Sequence, residues 1–442
     1  MERYQVLDLF CGCGGMSWGL SPKGFHIAAG IDNLDVALAT YQHNLKSAKA
    51  INLDITDADP LAVLRDIDLA PEEIDVIIGG PPCQGFSKNT PASWHFLEDP
   101  RNQLYKSYLR FVREINPKVV IIENVAELYN AFGGVVRKEI IDALRDFGYR
   151  VSVKIVNMSK YGIPQKRRRC FFFASKVGTP VFPEEKETSL SGWDAISDLP
   201  VVNQGEGYDG MAYDREPFNS YQAHLREGSD CLYNHIANTM RTKQTARIAS
   251  IGPGQGLRDL PAELQVKSGY SGAYGRLDYR SAAPTITRWV FHVGSGRFAH
   301  PREVRGLTMR EAARIQSFSD DFHFLGSRNE QAGQIGNAVP PYFMEQLADK
   351  ITDALQGREE EYQQLALFQA FGDDVKFLNV RRQFEALKKL LLIWIPTINA
   401  HLVFIAYTLE TCFCIVCPSP GQLIRSIKSD IFLKKGEFPV AF

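Results

Sequence analysis

Short apolar runs rich in Val and Ile alternate with stretches of helical periodicity through the first half of the chain, and this pattern limits the fold more than any other feature. The runs are YQVLDLF, FHIAAGID, IDVIIGG, KVVIIENV and RVSVKIVNM. Between them fall DVALATYQHNL, LYKSYLRFVREI and VRKEIIDALRDFG, whose apolar residues recur at helical spacing. Strands without a polar face must be covered on both sides, so the pattern predicts an α/β fold with a doubly wound, mostly parallel sheet. Ligands of such sheets sit beyond the carboxyl ends of the strands. The residues that follow each run therefore carry the functional argument.

The first run leads into DLFCGCGGMSWGL, where Gly12, Gly14 and Gly15 form a turn that should open a helix. Glycine lets the backbone approach a ligand, and a helix start offers unpaired N–H groups. The spacing is not the GxGxxG of a standard dinucleotide site. The second strand ends in Asp32, about where a ribose-binding carboxylate belongs, and INLDIT puts Asp54 at the end of the third. Alone, the glycine turn also fits tight packing and the two acids also fit helix caps; together the three strand ends outline a site of adenosine size.

The fourth strand ends at GGPPCQGFS and the fifth at Glu123 in IIENVAEL. Two prolines stiffen the backbone before Cys83 and Gly85 loosens it afterwards. That device suits a nucleophile held at a fixed angle better than a buried, inert thiol. A cysteine and a carboxylate at adjacent strand ends would face one crevice. In YGIPQKRRRCFFFAS, Gln165, Arg167 and Arg169 alternate into an aromatic strand, with Lys166 and Arg168 opposite. Standing alone, such a basic run is as consistent with a solvated face; placed after the Cys and Glu strands, the two guanidiniums look like a fork for carbonyl or phosphate oxygens.

In the order DLFCGCGG, Asp32, Asp54, GGPPCQGFS, ENV, QKRRR, APTIT and GNAVPP, residues 4 to 356 resemble the DNA cytosine-5 methyltransferases. The resemblance implies S-adenosylmethionine as cofactor, double-stranded DNA as substrate, and Cys83, Glu123, Arg167 and Arg169 as catalytic residues. In that family's chemistry the Cys83 thiolate adds to C6 of a flipped-out cytosine, Glu123 holds or protonates N3, and the arginines steady the base O2 and neighbouring groups. Phe10, Gly12, Gly14, Gly15, Asp32, Asp54 and Asn337 are the implied cofactor residues. Gln84, Ser87, Lys88 and Gln165 are the implied nucleic-acid contacts, and no metal is implied. A relative of this fold modifies tRNA, which keeps RNA open as a substrate. An oxidoreductase using a dinucleotide would share the fold but would not need PPC, ENV and QKRRR together.

The resemblance divides the chain into 1–190 plus 308–356, a catalytic and cofactor-binding domain; 191–307, a smaller irregular target-recognition domain; and 357–442, an apolar C-terminal extension of unknown role. In 191–307 the strand-helix alternation stops and Gly, Ser, Asn and Tyr are frequent, with scattered Arg and Lys. With 50 basic and 51 acidic residues the chain has no basic coat, so DNA must be met by local patches. Leu390 to Leu409 lacks any charged residue but is interrupted by Pro396, Asn399 and His401, and no membrane anchor is expected. Eight cysteines without a paired CxxC framework, and an N-terminus without a secretory pattern, fit a cytoplasmic location with reduced thiols. A monomer is expected, with a cognate restriction endonuclease as a separate partner.

Overall fold

The computed structural model describes residues 4–82, 104–187, 189–266 and 272–358. Cys83, Gln84, Ser87 and Lys88 lie outside the described residues, as does the C-terminal extension beyond Arg358.

The apolar runs become strands and the periodic stretches become helices. In chain order these are β1 (Tyr4–Leu9), α1 (Gly15–Leu20), β2 (Phe25–Asp32), α2 (Asp35–Asn44), β3 (Lys49–Asn52), α3 (Pro60–Arg65), β4 (Val76–Gly79), α4 (Leu104–Ile115), β5 (Val119–Val125), α5 (Val135–Asp146), β6 (Arg150–Asn157), β7 (Gln165–Lys166) and β8 (Arg168–Ser175). The main sheet has the order β3-β2-β1-β4-β5-β8-β6. Its pairs are parallel from β3 to β5, whereas β8 runs antiparallel to both β5 and β6.

Successive residues of the central strands enter opposite cores, which is why the runs show no polar face. Val6, Val76, Ile78, Val119, Ile121, Phe171 and Phe173 pack on one side. Leu7, Ile77, Val120, Ile122, Phe172 and Ala174 pack on the other, under α4 and α5. The strand order reverses between β1 and β4, and a ligand crevice opens where neighbouring connections leave in opposite directions.

Beyond β8 the described chain forms short helices and irregular turns: α6 (Gly192–Ile196), α7 (Ser220–Arg226), α8 (Thr242–Ala249) and the two-residue strand β9 (Ala283–Pro284), followed by α9 (Met309–Ile315), α10 (Arg328–Asn337) and α11 (Pro341–Leu355). Strand β9 pairs with β7, which sequence periodicity does not reveal because each strand has two residues. All seven residues of α9 are buried, charged ones included. Arg314 is bonded through Nε to Asp320 Oδ1 (2.9 Å) and through Nη1 to Asp198 Oδ1 (2.5 Å). Arg305 grips both carboxylate oxygens of Glu311 at 2.7 and 2.8 Å. These buried pairs join the segment after α6 to α9, and a core of Ile196, Leu225, Ile286, Phe298, Ala313 and Phe318 runs through both.

Candidate active site at the carboxyl edge of the sheet

The turn after β1 is built to leave open space. Phe10 adopts φ 59° and Gly12 φ 53°, a left-handed geometry that is costly for an aromatic residue. No atom stands within 4 Å of where a Cβ on Gly12 would project. Gly14 is confined instead, since a Cβ there would come 2.8 Å from the Tyr41 ring. Gly15 lies against the GNAVPP segment: its Cβ would stand 2.5 Å from the Val339 carbonyl oxygen. The turn is thus enclosed by a segment more than 300 residues away.

Asp32 braces this turn. Its Oδ2 accepts from the Gly12 N–H at 2.9 Å, and its Oδ1 accepts from the N–H groups of Asn33 and Leu34 at 2.9 and 3.1 Å. A carboxylate offers about four acceptor positions, so one remains for a ligand hydroxyl. Asp54 is exposed and caps its own turn, accepting from the Thr56 N–H at 2.9 Å, which holds the carboxyl below its usual range. Asn337 ends α10 with its side chain exposed. Open space over Gly12, helix N–H groups and an oriented carboxylate form a donor set that fits a nucleoside-bearing cofactor.

Sequence reasoning did not single out Asp8, although an acid inside the apolar run YQVLDLF was the available signal. Asp8 is buried on β1, and Ser17 Oγ donates to its Oδ2 at 2.6 Å. Burial pushes its carboxyl up to about 7, against the Ser17 hydrogen bond and helped by the nearby charge of Asp32. A raised acid favours the folded state at low pH, and that contribution is lost as pH rises through the folded value. Asp8→Asn should therefore gain stability relative to wild type between pH 5 and 7 by roughly 2–3 kcal/mol, at 1.36 kcal/mol per pKa unit. Urea unfolding of both proteins at pH 5 and 8 tests this; a constant difference would show that Asp8 does not titrate there.

At the adjoining strand end Gly79 pairs with Ile122, which places Gly80 beside Glu123. A Cβ on Gly80 would stand 3.0 Å from Glu123 Oε2. Asn124 Nδ2 donates to the Pro81 carbonyl at 2.9 Å, fixing the double-proline turn to β5. Pro82 is the last described residue before Cys83. Glu123 is buried, and Arg169 Nε lies 2.9 Å from its Oε1 as an ion pair. Burial pushes the Glu123 carboxyl up, and the guanidiniums of Arg169 and then Arg167 pull it back only in part. Such a carboxyl can hold a proton where an exposed glutamate would not.

Two expectations for QKRRR change. Arg167 is on the face of Gln165, as alternation implies, but it is buried and its guanidinium is committed to backbone instead of a ligand. Nη1 donates to the carbonyls of Ile286 and Gly336 at 3.1 and 3.0 Å, and Nη2 to that of Ala338 at 3.0 Å. Gln165, expected at the nucleic acid, is fully buried. Its amide donates to Gln316 Oε1 (2.5 Å) and accepts from the Ile286 N–H (2.8 Å), so it cannot reach a surface ligand. Both residues tie APTIT and GNAVPP to the strand that carries Arg169. The cysteines near the glycine turn are also not nucleophiles: burial pushes Cys11 well above its ordinary value and Cys13 up to about 12, so both remain thiols.

Compared with known proteins, residues 4–353 match the model of the C-5 cytosine-specific DNA methylases. The chain belongs to that family. The methylase is 35% identical over 379 residues to the type II methyltransferase M.DdeI of Desulfomicrobium norvegicum, covering 79% of this chain and 88% of that one. It is 34% identical over 352 residues to the type II methyltransferase M1.HphI of Haemophilus parahaemolyticus, covering 78% and 86%. Among solved structures, one from an E. coli prophage, described as a DNA modification methyltransferase, superposes with a TM-score of 0.64 at 26% identity, over 80% of the methylase and all of that chain. The Schizosaccharomyces pombe Dnmt2 methyltransferase shares the fold with a TM-score of 0.51 at 17% identity. The sheet is thus that of the α/β methyltransferase fold. Among the described residues no helix is long and apolar enough to cross a membrane.

Proposed function

We propose that the methylase modifies C5 of a cytosine swung out of a specific double-stranded DNA sequence, as the modification enzyme of a restriction-modification system, with S-adenosylmethionine as cofactor. One observation carries this reading: a buried, ion-paired glutamate stands against the anchored double-proline turn that leads into Cys83. Phe10, Gly12, Asp32, Asp54 and Asn337 would hold the cofactor, which supplies an electrophilic methyl group when bound. Cytosine C5 is too weak a nucleophile to take that group unaided. The Cys83 thiolate adds to C6, Glu123 gives its proton to N3, and the resulting enamine makes C5 nucleophilic. After methylation the C5 proton leaves to a base, N3 returns its proton, and the thiolate is expelled as the ring recovers its double bond. The target carbon is hidden in a stacked duplex, so the base must rotate out. Residues 191–307 would choose the sequence, and the whole would act as a cytoplasmic monomer, with any cognate endonuclease acting separately.

The direct test uses a duplex carrying 5-fluorocytosine at the methylated position, which is located first by bisulfite sequencing of DNA from expressing cells. Fluorine cannot leave as the proton does, so wild type with S-adenosylmethionine should form a complex that survives denaturing gels. An enzyme that methylates the normal duplex but traps none of the fluorinated one does not use a covalent C6 adduct. Running tRNA in parallel separates the two nucleic-acid substrates.

A further inference from the structure

Among the described residues one tryptophan, Trp289, is exposed on a rigid support in the segment that follows APTIT. Trp289 is 52% exposed, although its backbone is pinned on both sides. Ile286 is held by Gln165 and Arg167, and the Arg288 N–H lies so close to Gly336 that a Cβ there would stand 2.3 Å from it. Following it, Ser295 Oγ donates to the Trp289 carbonyl at 2.6 Å, and the Val290 side chain is fully buried. The Arg288 guanidinium stacks 5.0 Å from the centre of the indole. No carboxylate among the described residues is ion-paired with Arg288.

Its position follows from the sheet. Strand β8 runs antiparallel to β5, with Arg169 opposite Val125, so QKRRR lies at the carboxyl end of β5 beside Glu123. Gln165 and Arg167 then hand that position to Ile286, three residues before Trp289. Lys166 and Arg168, on the opposite face of the same stretch, are exposed and likewise have no ion pair among the described residues. In a chain of net charge −1, an exposed indole carrying its own unpaired Arg288, tied through Ile286 to the stretch that bears Lys166 and Arg168, is suited to a polyanion that also has π-faces. The indole lies beside Phe291, and among the described residues its other half is left uncovered.

We propose that Trp289 stacks on a base unstacked when the cytosine rotates out, while Arg288 neutralises an adjacent phosphate, so that this pair positions the duplex against the Glu123 crevice. The inference rests on the DNA reading given under Proposed function and adds the residues that meet the duplex. Stacking of one base on an aromatic side chain sets the size of the effect: Trp289→Ala should weaken binding of the methylated-sequence duplex by about tenfold or more. Trp289→Phe should recover most of that loss. Arg288→Ala should lower the slope of log affinity against log salt by about one, the mark of one lost phosphate contact. Binding of S-adenosylmethionine, measured by calorimetry on the same full-length proteins, should be unchanged and shows that each variant is folded. If wild type binds and methylates the duplex while the Trp289→Ala and Arg288→Ala proteins match its affinity and salt slope, this assignment is overturned by itself. A wild type that binds no duplex DNA overturns it together with the reading on which it rests.

Discussion

Cys83→Ser is expected to bind S-adenosylmethionine and duplex DNA within about threefold of wild type while methyl transfer falls by about 10⁴-fold or more, the scale on which removal of a catalytic nucleophile acts. A serine hydroxyl is almost entirely protonated at neutral pH, whereas a thiol reaches its anion readily and is the stronger nucleophile. The substitution keeps the size of the side chain nearly constant. The turn before it is held independently, through Asn124 and the Pro81 carbonyl. Single-turnover transfer of a labelled methyl group, with affinity measured on the same preparation, separates the two effects. A serine variant that turns over at the wild-type rate would remove Cys83 from the mechanism.

Glu123→Gln is expected to lower transfer by about 10² to 10⁴-fold, the usual worth of a positioned acid. The glutamine amide can still donate to N3 but has no proton to release. Because burial raises the Glu123 carboxyl above its ordinary value, the wild-type acid form persists to higher pH and is lost as pH rises through the shifted value. The wild-type rate should therefore show a falling alkaline limb from this group that the glutamine variant lacks. Retention of both rate and limb would mean that Glu123 only packs against Arg169.

The parts of this molecule that obey a local period could be read from the sequence. Runs such as KVVIIENV and RVSVKIVNM become strands because both faces need covering, and among the described residues Asp32, Gly80 and Glu123 follow their runs at the carboxyl edge of the sheet. What escaped was set by partners far along the chain. Alternation in QKRRR gives the shared face of Gln165 and Arg167, but not that it is buried, nor that their partners would be Gln316 and the carbonyls of Ile286, Gly336 and Ala338. A free guanidinium and one clamped on backbone look alike in sequence. The helix Met309–Ile315 offers the same lesson: the charges of MREAARI are inside because Asp198, Arg305 and Asp320 meet them there. Asp8 was hidden by an average, one acid within an apolar strand.

The cradle around the glycine turn also has a consequence for how such a chain comes into being. Cys13 Sγ donates to the Gln334 carbonyl across 321 residues, Gly15 is walled by Val339, and a Cβ on Gly19 would strike the Pro341 carbonyl at 2.3 Å. On a ribosome the turn, Asp32 and Glu123 therefore emerge long before the wall that completes their pocket. Closing so long a loop is entropically costly and belongs late in folding. A nascent chain halted ahead of Gln334 would display Phe10, Gly12, Asp32 and Glu123 and still lack the segment that walls the glycine turn. On the cofactor reading proposed above, affinity for the donor would arise only once synthesis has passed this wall at 334–341, so that ligand binding would mark a catalytic region that is all but complete.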